Sequence, residues 1–388
     1  MNKKLNLYYF GDIGDYDKSN PDYICNKPHV SEILYILALN NPFALEKKQI
    51  SEQLNINEEY LDEIINNLKN IEAITVKGNT FKLNFPVFLE KDIPLLDRYF
   101  SSAGKPIGDI VINCLPLIAP LLKELSSYGH FTNERLLYHI ICDSIFDGTA
   151  FDFFIQKDLF TESKPQPGNR NYMIFAYEDS DIVETHSNLI LCSSNNYSGN
   201  KYTFNSFGDS NGTRKDMYRF FRKLITAIEP ATEFKELNMA YINILEEKNK
   251  ELVDLCGDLI IAAKDTVISY KNLSPKEKVL IDFLIELEYL SVDEQNSDIY
   301  CLTPIFNCND LQIIDQISNI ILDNIADAVT DLIDKFNEAI SDFTPIRHGI
   351  SIKEISIELW HQIFGFTNEY LSKVLLKIHF IEKDKVVI

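Results

Sequence analysis

Apolar positions in the first quarter of the chain recur at helical spacing and then switch to alternation. Val30 to Leu39 (VSEILYILAL) is apolar on nearly every face, the pattern of a core helix. After a turn at Asn41-Pro42, Glu46 to Leu54 predicts a short amphipathic helix with Ile50 and Leu54 inward. Asn57, closing the turn Asn55-Ile56-Asn57, is placed to cap the next helix, and Glu58 and Glu59 favour that helix's N-terminus electrostatically. Leu61, Ile64, Ile65 and Leu68 mark one face of a third helix that ends near Asn70. Two short strands are then expected, Ala73 to Lys77 and Thr80 to Asn84. Gly78-Asn79 between them can supply the positive φ of a tight hairpin.

Three helices followed by a two-stranded hairpin is the order of a winged helix, and the pattern recurs downstream. Ile71-Glu72-x-Ile74-x-Val76 matches Leu287-Glu288-x-Leu290-x-Val292 at an offset of 216. Phe81-x-Leu83 is set against Tyr300-x-Leu302 at 219, and Pro86-Val87-Phe88 against Pro304-Ile305-Phe306 at 218, so the second hairpin turn is longer. A third echo pairs Ile50, Leu54, Ile56, Tyr60 and Leu61 with Trp360, Phe364, Phe366, Tyr370 and Leu371 at a constant offset of 310. A repeat of this kind is stronger evidence than any single segment.

Between these units the pattern changes. Ile93 to Ser127 and Leu311 to Ile340 each follow a hairpin and read as mainly helical. The second carries Ile314, Ile317, Ile321, Ile325, Ala328, Leu332, Phe336 and Ile340 at spacings of three or four. Such a stripe must be covered, either by its own chain or by a dimer partner. Asn171 to Phe207 alternates apolar and polar residues and predicts a small antiparallel sheet or extended wing, preceded by a polar linker at Lys164 to Asn171. The expected fold is mainly α with small β-wings, an α+β chain of repeated winged helix-turn-helix units around a small central antiparallel β region. Its divisions are a lead at 1–29, a first winged helix at 30–90 and a helical segment at 91–163. A central β-containing segment at 164–240, a second winged helix at 241–308, a long helix at 309–342 and a C-terminal winged-helix-like unit at 343–388 complete the chain.

Charge narrows the choice of partner. With 37 Lys+Arg against 58 Asp+Glu, the net charge is −21, which repels nucleic acid unless basic residues gather locally. Seven cysteines without close pairing fit a reducing compartment, so free thiols and a cytoplasmic location are expected. Met1 to Tyr9 lacks the apolar run and cleavage site of a signal peptide. Ile110 to Leu122 is apolar but short and interrupted by Asn113, Pro116 and Pro120, so it reads as a buried helical segment and no membrane partner is expected.

Signatures of catalysis are sparse. No GxxxxGK[ST] or G-x-S-x-G occurs, and Gly11-Asp12-Ile13-Gly14 lacks the glycine spacing of a dinucleotide loop. The seven histidines form no HxxxH or HExxH pair, and Cys301 and Cys308 are better explained as packing thiols than as metal ligands. A non-catalytic chain without cofactor or metal is therefore expected. For nucleic acid, the first unit's third helix carries Glu58, Glu59, Asp62 and Glu63 against Lys69 alone, a face hostile to phosphate, although its hairpin offers Lys77 and Lys82. The C-terminal unit offers Lys373 and Lys377 one turn apart. The strongest basic cluster is Arg214, Lys215, Arg219, Arg222 and Lys223, interleaved with Tyr218, Phe220 and Phe221. As a helix it would present a basic stripe backed by core, suited to phosphate or to an acidic protein, or paired internally with the abundant carboxylates.

Gly11 to Phe88, about a fifth of the chain, resembles the winged helix-turn-helix modules of bacterial transcription regulators of the ArsR/MarR type, and more specifically modules found beside RNA polymerase sigma factors. The residues carrying this are Gly11-Asp12, Asn20-Pro21, the run from Glu46 through Gln49-Ile50-Ser51 to Leu54 and Ile56, Tyr60-Leu61, Glu63-Ile64, and Gly78-Asn79 through Val87-Phe88. The resemblance implies a transcription-associated regulator with DNA or the transcription machinery as partner; the basic clusters add Lys77, Arg214, Lys215, Arg219, Arg222, Lys223, Lys373 and Lys377 as the expected DNA contacts, and a homodimer is a further expectation. The acidic third helix departs from a DNA-reading member. The alternative is an acidic scaffold whose winged helices grip partner proteins.

Overall fold

The computed structural model of the chain describes residues 3–14, 17–161, 164–189, 196–198, 202–205, 255–286 and 289–376. It is mainly helical with small, mostly antiparallel sheets. The chain divides into two units, one of residues 1–103, 153–190 and 326–363, the other of residues 104–152, 191–325 and 364–388.

In the first unit the predicted element order at 30–88 is present as helices Val30–Leu39, Lys47–Leu54 and Glu58–Asn70 and the hairpin Ile74–Lys77/Thr80–Leu83. The ends form for local reasons. Asn55 takes the left-handed conformation at φ 53° to stop one helix, and the Asn57 side chain accepts from the Tyr60 N–H at 2.7 Å to start the next. Gly78, at φ 61°, turns the hairpin. Ile50, Leu61, Ile64, Leu68, Phe81 and Leu83 close over the Val30–Leu39 helix in one core.

The lead at 1–29 holds a strand and a short helix, Pro21–Cys25. Leu5–Asp12 is a strand that runs antiparallel to Arg170–Glu178 from Leu5 opposite Glu178 to Asp12 opposite Asn171. Val87–Phe88 adds to Arg170–Glu178 in parallel, and Lys164–Gln166, read as a linker, pairs with it antiparallel. The central β region begins at Arg170–Glu178, close to the predicted Asn171, and after a helical interruption resumes at Asn196–Ser198 and Tyr202–Asn205. Asp181–Leu189 is a helix, because the Ser180 hydroxyl accepts from the Val183 N–H and the pattern beyond turns helical.

The second unit holds a helix at 255–265, the short strand Ile268–Ser269, the helix Pro275–Glu286 and the strands Leu290–Val292 and Asp298–Cys301. Cys256, Ile260, Leu280, Ile281, Leu284 and Ile299 form its core. Phe306–Asn307 pairs with Tyr202–Asn205 and that strand with Asn196–Ser198. Gly104–Leu122 also belongs to this unit and approaches the end of helix Ile352–Leu371 closely. A Cβ at Gly104 would lie 2.2 Å from the Phe366 carbonyl oxygen, and one at Gly108 2.3 Å from the Tyr370 ring.

Corresponding positions in the two segments make the same bonds. The Ala73 N–H donates to Leu68 O and the Tyr289 N–H to Leu284 O, both at 2.9 Å. Ile74 faces Leu83 as Leu290 faces Cys301, so the second hairpin strand aligns at an offset of 218 and not 219. The counterpart of buried Phe81 is buried Ile299, whereas Tyr300 is 48% exposed. A one-residue slip in a strand exchanges its two faces, which is how side-chain burial exposes the misalignment.

The correspondence continues past the hairpins at the same offset. The buried Asp92 carboxylate accepts from the Leu89 N–H at 2.8 Å and, on its other oxygen, from the Thr344 N–H at 3.1 Å. The buried Asp310 carboxylate accepts from the Asn307 N–H at 2.8 Å and from the Ser126 N–H at 2.7 Å and its hydroxyl. Ser126 and Thr344 themselves stand 218 apart, so each segment caps its helix with a residue of the other. Ile107, Val111, Ile118 and Leu122 are buried, as are Ile325, Val329, Phe336 and Ile340, their counterparts.

Two further expectations resolve here. The stripe of the long helix, a single Cys308–Ala339, is covered by its own chain at Ile314, Ile317, Ile321, Ile325, Phe336 and Ile340. The C-terminal echo does not form a helix-turn-helix. Ile352–Leu371 is one continuous helix where the echo requires a break like that at Asn55. Gly365 stands in the interior of that helix, and Ile355, Ile357, Leu359, Trp360, Ile363 and Phe364 are buried around most of its circumference, so the apolar pattern carries no sign of where a break would fall.

Candidate functional site

The outward face of the first segment is set by the Glu58–Asn70 helix. Its buried side is Leu61, Ile64, Ile65 and Leu68, which leaves Glu58, Glu59, Asp62, Glu63, Asn66, Lys69 and Asn70 exposed. The lysines that begin the preceding helix do not offset this charge toward solvent, because they are engaged. Lys47 Nζ lies 3.0 Å from Asp62 and 3.2 Å from Glu58, and Lys48 lies 3.8 Å from Glu52. Hydrogen bonds to Asp62 and Glu58 raise the Lys47 pKa, which keeps the ammonium charged and bound. Lys27 reaches Glu63 at 3.7 Å. Asn66 and Asn70 remain outward, while Asn67 is half-buried.

The corresponding face of the second segment is different. Lys271 and Lys276 are exposed around the start of the Pro275–Glu286 helix, and Lys278 sits 5.5 Å above the Tyr270 ring. Ser274 and Glu277 cap each other there, at 2.8 Å and 3.3 Å, and the hydrogen bonds from Ser274 lower the Glu277 pKa. Tyr270 donates its hydroxyl to Asp282 at 2.7 Å, which pushes the phenol up to about 12. The Lys271-x-x-Ser274-Pro275-Lys276-x-Lys278 run carries the sequence signature of a basic helix start, with a Ser cap and Pro at the first helical position.

Two of the predicted basic residues, Lys77 and Lys373, are among the described ones. Lys77 is exposed on the first hairpin, 5.9 Å from the Phe43 ring centre. Lys373 is bound to Glu369 at 2.7 Å, one turn back on the same helical run. Arg214, Lys215, Arg219, Arg222, Lys223 and Lys377 lie outside the described residues.

Among the described residues no group of three or more His, Cys, Asp or Glu side chains is arranged to hold a metal ion. The described cysteines are free thiols, and Cys301, pushed up to about 11 by burial, donates to Thr303 O at 3.3 Å. Beside the first hairpin a cleft is lined by Glu72, Asn84, Gln166 and Tyr172 and flanked by the Lys164–Glu354 ion pair at 2.8 Å. Burial pushes the Tyr172 phenol up to about 12, so it is neutral at physiological pH and can only donate or accept a hydrogen bond. No family model, curated protein or solved structure matches this chain, and its function is read from these residues.

Proposed function

We propose that the chain is a non-catalytic binding protein built on two winged-helix units, and that the unit at 30–88 engages a protein partner. The unit assignment is supported by element order and by one shared detail. In both segments a residue or strand beyond the first helix pairs with the start of the second hairpin strand, Glu46 with Thr80 and Ile268–Ser269 with Ile299 and Asp298, although a single 3-10 turn, Tyr270–Asn272, stands in the second segment where the first has the helix Lys47–Leu54. The observation that carries the functional reading is the acidic third helix, whose Glu58 and Asp62 also hold Lys47, the lysine that opens the preceding helix. A helix of that charge is repelled from a nucleic-acid groove and suits a basic protein surface.

A second reading, a cytoplasmic transcription regulator that contacts DNA, is favoured by a different observation. Lys271, Lys276 and Lys278 stand at the helix start of the second unit, where winged helices approach the groove. Binding of the intact protein to a genomic DNA fragment library at about 50 mM and about 200 mM salt separates the two. The protein-partner reading expects no retained fragments at either salt. Retention that weakens with salt and is lost in a Lys271→Ala/Lys276→Ala variant overturns it in favour of the regulator.

A further inference from the structure

The Gly104–Leu122 helix shows its partner's chemistry through contrast with its own counterpart. It buries Ile107, Val111, Cys114, Ile118 and Leu122, and by length and composition it is the one described helix apolar enough to cross a bilayer. Only a third of its most apolar window is buried, however. The outward positions from 113 to 120 hold Asn113, Pro116, Leu117, Ala119 and Pro120, all exposed, with Leu117 at 61%. The corresponding outward positions of the Cys308–Ala339 helix hold Asp331, Asp334, Lys335, Asn337 and Glu338, also exposed. Two helices with the same buried positions therefore differ on the solvent side, and the second shows what a merely solvated version of this surface looks like. No charged residue occurs from Ile110 to Leu122.

Pro116 and Pro120 add a polar demand to this apolar face. Proline has no N–H, so the carbonyls of Ile112 and Pro116 lose the donor that would close their helical bonds. Ile112, Pro116 and Pro120 stand at a spacing of four on the partly or fully exposed side, which puts two carbonyl acceptors beside Leu117 and Ala119. The surface thus asks for apolar side chains and hydrogen-bond donors together. The chain's net charge of −21 selects among candidates: it repels a second copy and an anionic membrane, and attracts a cation-rich partner. Insertion into lipid would also strip the buried stripe and the close packing at Gly104 and Gly108 from their protein neighbours.

We propose that the Asn113 to Pro120 face is a docking surface for a Lys- or Arg-rich amphipathic helix of another protein. The apolar face of that helix covers Leu117, and its cationic donors reach the Ile112 and Pro116 carbonyls. This inference goes beyond the acidic-helix reading and does not depend on it, because it uses a different surface.

The test titrates the full-length protein against a fluorescent helical peptide of leucine and lysine, with a leucine and glutamate peptide of the same pattern as control. The variant Leu117→Lys/Ala119→Asn/Pro120→Glu carries the residues of the counterpart helix at solvent positions, and Leu117→Ala serves if that variant melts early. The expected result is binding of the lysine peptide only, weakened about tenfold or more in the variant, as loss of one buried leucine implies. Equal affinity of both proteins for the lysine peptide overturns the proposal, since attraction to the acidic chain would then be diffuse. Patch-dependent binding to uncharged phosphatidylcholine vesicles, or patch-dependent dimerisation in sedimentation, overturns it in favour of lipid or of a second copy.

Discussion

In residues 86–126 and 304–344 the inward positions agree and the outward positions do not. Leu96, Ile107, Val111 and Ile118 in the first are matched by Ile314, Ile325, Val329 and Phe336 in the second, all buried. Leu117 and Pro120 in the first stand where Lys335 and Glu338 stand in the second, all exposed. A core admits only substitutions that keep volume and polarity, whereas a solvated position tolerates nearly any residue. Agreement inward therefore reports the shared plan, and disagreement outward marks where the two surfaces have diverged. The third-helix faces repeat the lesson, with Glu58, Glu59, Asp62 and Glu63 in one and Lys271, Lys276 and Lys278 around the other.

The severest way to break the comparison is to remove the paired carboxylates. Asp310→Ala leaves the Asn307 and Ser126 N–H groups without their acceptor, and we expect a loss of about 3 kcal/mol in urea unfolding. Asp92→Ala should cost about 2 kcal/mol, because it strands the Leu89 and Thr344 N–H groups. A negligible cost for one beside a large cost for the other would show that the bonds look alike without bearing alike on stability.

Gly104→Ala sharpens the comparison by its sign. In an ordinary helix interior alanine is about 1 kcal/mol better than glycine. Here the new methyl meets the Phe366 backbone, so we expect thermal unfolding to reveal a loss of about 2 kcal/mol. The counterpart Leu322 carries a full side chain and is buried, so the two helices use this position differently, and Leu322→Ala should also destabilise, by leaving a cavity.

The turns after Ser126 and Thr344 differ in their histidines, and acid should report it. His130 is exposed, whereas His348 is 2% exposed. Burial holds the His348 pKa down at about 4, aided by Arg347 and Lys82 and opposed by the Ala38 and Asn40 backbone. A base depressed by folding keeps its full contribution above its unfolded value near 6.5 and loses it as pH falls toward the folded value. At pH 5 this group alone should lower stability by about 2 kcal/mol relative to neutral pH, and His348→Met should remove that part of the slope in urea titrations at the two pH values. An unchanged slope would mean that His348 takes a proton in the folded protein.

Much of this architecture was legible because it rests on local chemistry. Asn57, Gly78 and the spacing of Leu61, Ile64, Ile65 and Leu68 place their helix and hairpin nearly to the residue. The strand Leu5–Asp12 was not anticipated, although Leu5, Leu7 and Tyr9 alternate there, because Tyr8 and Phe10 fill the alternate positions and its partner lies far along the chain. The register slip between Phe81 and Ile299 arose because a longer turn can be placed at more than one position by sequence alone. Asp92 and Asp310 could not be recognised as equivalents without seeing Thr344 and Ser126 beside them, since a carboxylate's partner at long range leaves no local trace. The outward face of Gly104–Leu122 was missed for a related reason: an apolar run suggests burial, and only the packed structure shows which residues of the run are left outside.

The exchange of segments between the two units has a consequence for synthesis. The first unit includes residues 326–363, so the ribosome must make more than two hundred further residues after residue 103 before that unit can close. At ordinary elongation rates this is a wait on the order of tens of seconds. Throughout it, the nascent Gly104–Leu122 segment lacks the Phe366 and Tyr370 positions against which Gly104 and Gly108 pack. Such a segment is a natural substrate for holding chaperones, and the yield of folded protein in a cell-free translation should depend on them more than its final stability suggests.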